Sequence, residues 1–180
     1  MKVRRLSFLV LPLLVTGMLS GCSTNKSADV TDNIRKSLDQ AGFKDVSISE
    51  DRDKGVVTLK GNVPTEMDKQ QAESIAKSNA PNLVVADEIS VRPPGNESEA
   101  RAVDSDLDKS IEKNLDATLV KHRLKKNVKY DVKNGVVTLT GDVPSQTKRE
   151  QVEKLVASVP NVKQVVNELE VKNQKASSTS

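Results

Sequence analysis

The phrase GVVTLKGNVP, Gly55 to Pro64, returns eighty positions later as GVVTLTGDVP, Gly135 to Pro144, with eight of its ten letters unchanged. A chain that repeats itself at this spacing is built from two copies of one unit, and any fold proposed for it must satisfy both. Within the phrase the period is two. Val57 and Leu59, like Val137 and Leu139, fall on one face of a strand, and Thr58 and Thr138 fall on the other. Gly61 and Gly141 read as strand ends, and Pro64 and Pro144 bar continuation. Thr65 and Ser145 are N-caps for a following helix, which buries Ala72, Ile75 and Ala76 in one copy and Val152, Leu155 and Val156 in the other.

The likeness extends in both directions. Upstream, Val30, Ile34 and Leu38 recur as Leu107, Ile111 and Leu115, an i, i+4, i+8 stripe that makes one helical face apolar. An alternating strand follows, VSI in the first copy and VKY in the second, and then a turn. The second turn holds Asn134-Gly135, a strong hairpin signal; the first, Ser49 to Gly55, is longer and highly charged. Downstream, VADEISV closes one unit at Val91 and VVNELEV closes the other at Val171. Each unit is therefore helix, strand, strand, helix, strand. The hairpin pair is antiparallel, and the right-handed crossover makes the last strand parallel to its partner. The expectation is an α+β fold with two tandem αββαβ units, each a three-stranded mixed sheet with two helices on one face and the other face wet. Each is near the lower size limit for a domain that folds alone.

Both ends of the chain read as something else. Residues 1–21 have the basic start, apolar run and small-residue boundary of a signal peptide. The run from Leu6 to Leu19 is shorter than the ~20 residues a membrane-spanning helix needs. Leu19-Ser20-Gly21-Cys22 resembles the bacterial lipobox, whose cysteine thiol takes a diacylglyceryl group and becomes the new amino terminus. Cys22 is the only cysteine, so no disulfide framework or thiolate cluster is open to the chain. That resemblance implies a lipid-anchored protein. With Ser23 and not aspartate after the cysteine, it implies the periplasmic face of the outer membrane, held by fatty chains that together give stable attachment. Residues 22–27 form a tether, 28–92 the first unit, 93–102 a Pro/Gly/charge-rich linker, 103–172 the second unit and 173–180 a polar, disordered tail.

Removing the signal changes the charge argument. The whole chain is +3, but Lys2, Arg4 and Arg5 leave with the signal, and 25 basic side chains then face 25 acidic ones. The balance is uneven: residues 22–100 carry −4 and residues 101–180 carry +4.

The two units resemble BON domains, a bacterial module named for an osmotically inducible periplasmic protein and a nodulation protein. The residues that carry the likeness are the G-V-V-T-L-x-G-x-V phrases, the leading helices with their apolar stripes, and the closing Val165-x-Asn167-x-Leu169-x-Val171. In the first copy Asp87 stands where the closing Asn would be, and Asn82 and Asn161 replace Gly before the last strands. The resemblance implies the fold just described and an envelope role. It also implies binding of anionic phospholipid through the second domain of a tandem lipoprotein, with no cofactor.

Catalytic groups are scarce. His122 is the only histidine, and no metalloprotease, serine-hydrolase or P-loop spacing occurs. Asp104, Asp106 and Asp108 lack the glycine and distant glutamate of a calcium loop, and read as a helix start favoured by its dipole. No catalytic or metal residue is assigned. Beyond the signal, Phe43 and Tyr130 are the only aromatic residues, which gives nucleic acid no stacking platform. The one feature above background is the acid-free run from Lys121 to Lys129, with Lys121, Arg123, Lys125, Lys126 and Lys129. Lys148 and Arg149 extend it from the second helix of the same unit. Two readings follow. One is an anionic-phospholipid site on a lipid-anchored envelope protein that supports outer-membrane integrity under osmotic or envelope stress. The other is a solvated connection in a periplasmic protein-interaction adaptor or stress chaperone, whose exposed sheet faces receive an envelope protein partner.

Overall fold

The computed structural model describes residues 30–172; the signal peptide, Cys22, the tether and the tail lie outside the described residues. The first copy is α1 (Val30–Gln40), β1 (Ser47–Asp51), β2 (Val56–Val63), α2 (Glu66–Asn79) and β3 (Val84–Val91). The second is α3 (Glu97–Lys121), β4 (Val128–Lys133), β5 (Val136–Val143), α4 (Gln146–Ala157), β6 (Gln164–Asn167) and β7 (Glu170–Val171). In the first sheet, β2 lies between antiparallel β1 and parallel β3. In the second, β5 takes the same place between β4 and β6. The closing strand of the second copy breaks after Asn167, whose Oδ1 accepts from Leu169 N, and resumes as β7 beside β5. The expected α+β architecture with two mixed sheets is what the chain adopts.

The caps act as the sequence demands. Thr65 accepts from Asp68 N while the Asp68 carboxylate accepts from Thr65 N, a capping box, and Ser145 accepts from Lys148 N. The helical stripes, however, align differently from the expectation. Phe43 N donates to Leu38 O at 2.9 Å, and Leu124 N donates to Leu119 O at 2.8 Å. These are the same closing bond of a Schellman motif, so Leu119, and not Leu115, is the counterpart of Leu38. The stripe of α3 runs through Ile111, Leu115 and Leu119, all fully buried. Its extra length lies at the other end. Glu97 to Ala102, read as linker, are helical. Asp104, Asp106 and Asp108 sit inside the helix and do not begin it.

Gly61 and Gly141 do not end their strands. Both β2 and β5 run through them to the valine before each proline. The glycines are needed for another reason. A Cβ on Gly61 would lie 2.2 Å from the Asp45 carbonyl oxygen, and one on Gly141 would lie 2.1 Å from that of Asn127. At φ of 135° and 115°, only glycine lets the loop before the hairpin approach so closely.

The outer sheet faces are not simply wet. Val56 and Ala86 pack with Val136 and Val166 as a separate apolar cluster. In the eighty-residue repeat, Val56 matches Val136 and Ala86 matches Val166. The hairpin turns reach across reciprocally. Asn134 Nδ2 donates to Glu88 O of β3 at 2.6 Å, and Lys54 Nζ donates to Glu170 of β7 at 2.5 Å. Equivalent surfaces meeting in this way form an approximate twofold contact closed within one chain. Arg92 donates to Asp104 at 2.6 Å, and Asp108 accepts from Asn134 N and Gly135 N, both at 2.9 Å, so α3 braces this contact.

Candidate functional site

One end of the second sheet collects the residues that the charge pattern singles out. Val128 pairs with Gly141 and β5 ends at Val143, so the C-terminus of α3, the start of β4 and the N-terminus of α4 share that end. Lys121 closes α3, and Arg123, Lys125 and Lys126 occupy the loop to β4. Lys129 points to the outer face of β4, where Val128 and Val132 point inward. All five are exposed, with buried Leu124 and Val128 pinning the loop from beneath.

Their partners separate them. Lys125 pairs with Asp116, whose carboxylate also accepts from Tyr130 Oη at 2.5 Å. Lys125 first, and Tyr130 second, hold the Asp116 carboxyl below its ordinary range. Burial and the Asp116 bond push the Tyr130 hydroxyl up, so it stays a donor. Lys121, Arg123, Lys126 and Lys129 form no ion pair among the described residues. Lys148 lies in the first turn of α4, which carries no acidic residue, whereas α2 has Glu66 and Asp68 there. The positive pole of α4 is thus left uncompensated, a setting that favours anions. Arg149 is turned inward: its guanidinium donates to Asn167 O at 2.6 Å, and its Nε is buried without a partner.

Two further residues belong to this end. Val120 is 61% exposed, an apolar side chain beside the basic ones. Its position off the i, i+4 stripe was the available sequence signal. Lys172 follows β7 and pairs with Asp142 at 3.7 Å; it entered the sequence only as the last residue before the tail. The corresponding end of the first copy holds Asp39, Lys44, Asp45, Glu66 and Asp68. Among the described residues no group of three or more histidine, cysteine or carboxylate side chains could hold a metal ion. No helix among them is long and apolar enough to cross a membrane.

The family model for the BON domain matches twice, at residues 26–93 and 104–173. The chain belongs to the BON family. It is 30% identical over 146 residues to Osmotically-inducible protein Y of Escherichia coli strain K12, covering 79% of this chain and 71% of that protein. Two solved structures of CdsD, a structural protein of the type III secretion system of Chlamydia trachomatis, also match. They show 17% and 16% identity and TM-scores of 0.34 and 0.35, covering 80% and 79% of this chain and 98% and 92% of theirs.

Proposed function

We propose that this is a non-enzymatic lipoprotein of the bacterial envelope, anchored through Cys22 at the periplasmic face of the outer membrane, that binds anionic phospholipid with the basic end of its second BON domain. The observation that carries the reading is the acid-free run in which Lys121, Arg123, Lys126 and Lys129 are exposed and unpaired among the described residues. Each such group is worth ~1 kcal/mol near a charged bilayer surface. Lys148 adds to the same end, and Val120 offers an apolar contact at the level of the headgroups. Lys125 contributes less, because Asp116 already neutralises it, and Arg149 serves the sheet. Engagement of phospholipid from a tethered position would support outer-membrane integrity under osmotic or envelope stress.

The test is co-sedimentation of the chain with vesicles of phosphatidylglycerol and phosphatidylethanolamine, against vesicles of phosphatidylcholine alone. Binding to the anionic vesicles that falls steeply as salt rises supports the reading, since exposed charges are screened. Equal binding to both vesicles, or binding indifferent to salt, would return the lead to the adaptor.

A further inference from the structure

The two closing strands are edge strands, and the chain treats their edges differently. In β3, Val84 N donates to Gly55 O, which turns the backbone groups of Val85, Asp87 and Ile89 away from β2. Side chains take Val85 O, Asp87 N and both groups of Ile89, whose N–H donates to Asp87 Oδ1 at 3.1 Å. Gln164 Nε2 donates to Val85 O at 2.7 Å, and Asp87 N donates to Gln164 Oε1 at 3.2 Å. Lys69 Nζ donates to Ile89 O at 2.7 Å. One side-chain amide that bonds residues 85 and 87 together copies what a residue of an added parallel strand would do. The Gln164 amide is thus a strand substitute, lent by the second copy to the first.

The twofold relation places Val84 where Gln164 stands. In β6, Glu168 N donates to Leu139 O, so the groups of Val165 and Asn167 face outward. Arg149 takes Asn167 O, as Lys69 takes Ile89 O. Val84 has no amide to offer, and among the described residues no side chain meets Val165 O or Asn167 N. A cleft of 270 Å³ opens there, lined by Val84, Val165, Asn167, Arg149, Glu150 and Glu153 among others.

We propose that this notch is a docking site for an extended polypeptide segment, which adds to β6 as a parallel strand. One residue of the segment would donate its N–H to Val165 O and accept from Asn167 N, the pair of bonds that Gln164 makes at β3. The cleft is continuous with the contact between the two copies, since Val84 forms one wall. Glu150 and Glu153 on α4 favour basic residues in the segment, and Val84, 47% exposed, offers an apolar contact. The site does not depend on lipid binding, so the two proposals stand or fall separately.

The probe is the peptide acetyl-Lys-Val-Gln-Val-Lys-amide, titrated into the 15N-labelled chain and followed by amide chemical shifts. Saturable shifts at Asn167, its neighbours in β6 and Val84 are expected. Val84→Gln should supply the missing amide, stay folded because Val84 is half exposed, and weaken the peptide roughly tenfold, the loss of about one hydrogen-bonded pair. Gln164→Val should do the converse and add shifts at Asp87. No shift at the β6 edge, or binding unchanged by Val84→Gln in a folded chain, overturns the proposal. So do shifts confined to other surfaces.

Discussion

Arg123 stands where the first copy has Gly42. Both occupy the left-handed position that closes the leading helix, at φ of 57° and 92°. Glycine adopts that conformation freely, whereas an L side chain gives up about 1 kcal/mol. The second copy therefore carries a strained arginine in the middle of its basic run. Arg123→Gly should stabilise the protein by ~1 kcal/mol in urea unfolding while weakening its attachment to anionic vesicles. A loss of stability would show that the side chain holds the loop and is not there for its charge. Gly141 presents the opposite case, because its missing Cβ leaves room for the Asn127 carbonyl. Gly141→Ala should cost ~3 kcal/mol or more, among the larger single-site effects, and a change below ~1 kcal/mol would refute the close approach. The sequence marks these glycines by repeating them but does not give the reason. A strand-end glycine and one that admits a neighbouring backbone look alike until the neighbour is in place.

At the scale of elements, most of each unit was legible. Caps at Thr65 and Ser145, the Asn134-Gly135 turn and the prolines are local chemistry, and they appear where local chemistry puts them. The register of α3 against α1 was not legible, because its i, i+4 stripe is longer than its partner's and slides by one turn without breaking the pattern. The capping bonds decide it. Leu119→Ala should then cost ~2–5 kcal/mol, as deletion of a fully buried leucine does. Leu107→Ala, at a position only partly buried against the core, should cost less than about half as much. Urea midpoints in the reverse order would restore the earlier alignment. The basic run was readable as charge alone. Which members remain unpaired depends on Asp116 and Asn167, which the fold, and no local pattern, brings to Lys125 and Arg149.

At the scale of the whole molecule, the repeated unit makes one approximately symmetric object rather than two beads. The signal was present in the doubled valines: Val56-Val57 and Val136-Val137 put apolar side chains on both faces of a strand, a mark of burial on two sides. Glu88 is the cost of that contact. Burial raises its carboxyl above the ordinary 4.5, partly opposed by Lys60 at 3.5 Å. A raised carboxyl favours the folded state while it is protonated, and that contribution is lost as pH rises from 4.5 through the folded value. Glu88→Gln should therefore gain stability relative to the parent as pH rises from 4.5 to neutrality, while the Asn134 bond to the Glu88 carbonyl is kept. A difference between the two unfolding curves that is independent of pH would contradict the burial of this charge.

The same scale holds the functional claim, because the molecule is acidic at one copy and basic at the other. Lys121 and Lys126 are exposed, unpaired among the described residues and outside every apolar cluster, so Lys121→Glu with Lys126→Glu should leave folding intact. The deciding measurement is the affinity of this double variant and of the parent for phosphatidylglycerol vesicles at low salt. Removing two bases at ~1 kcal/mol each predicts a loss of at least about thirtyfold. Equal affinities for parent and folded variant would contradict the assignment of lipid binding to this end of the second domain.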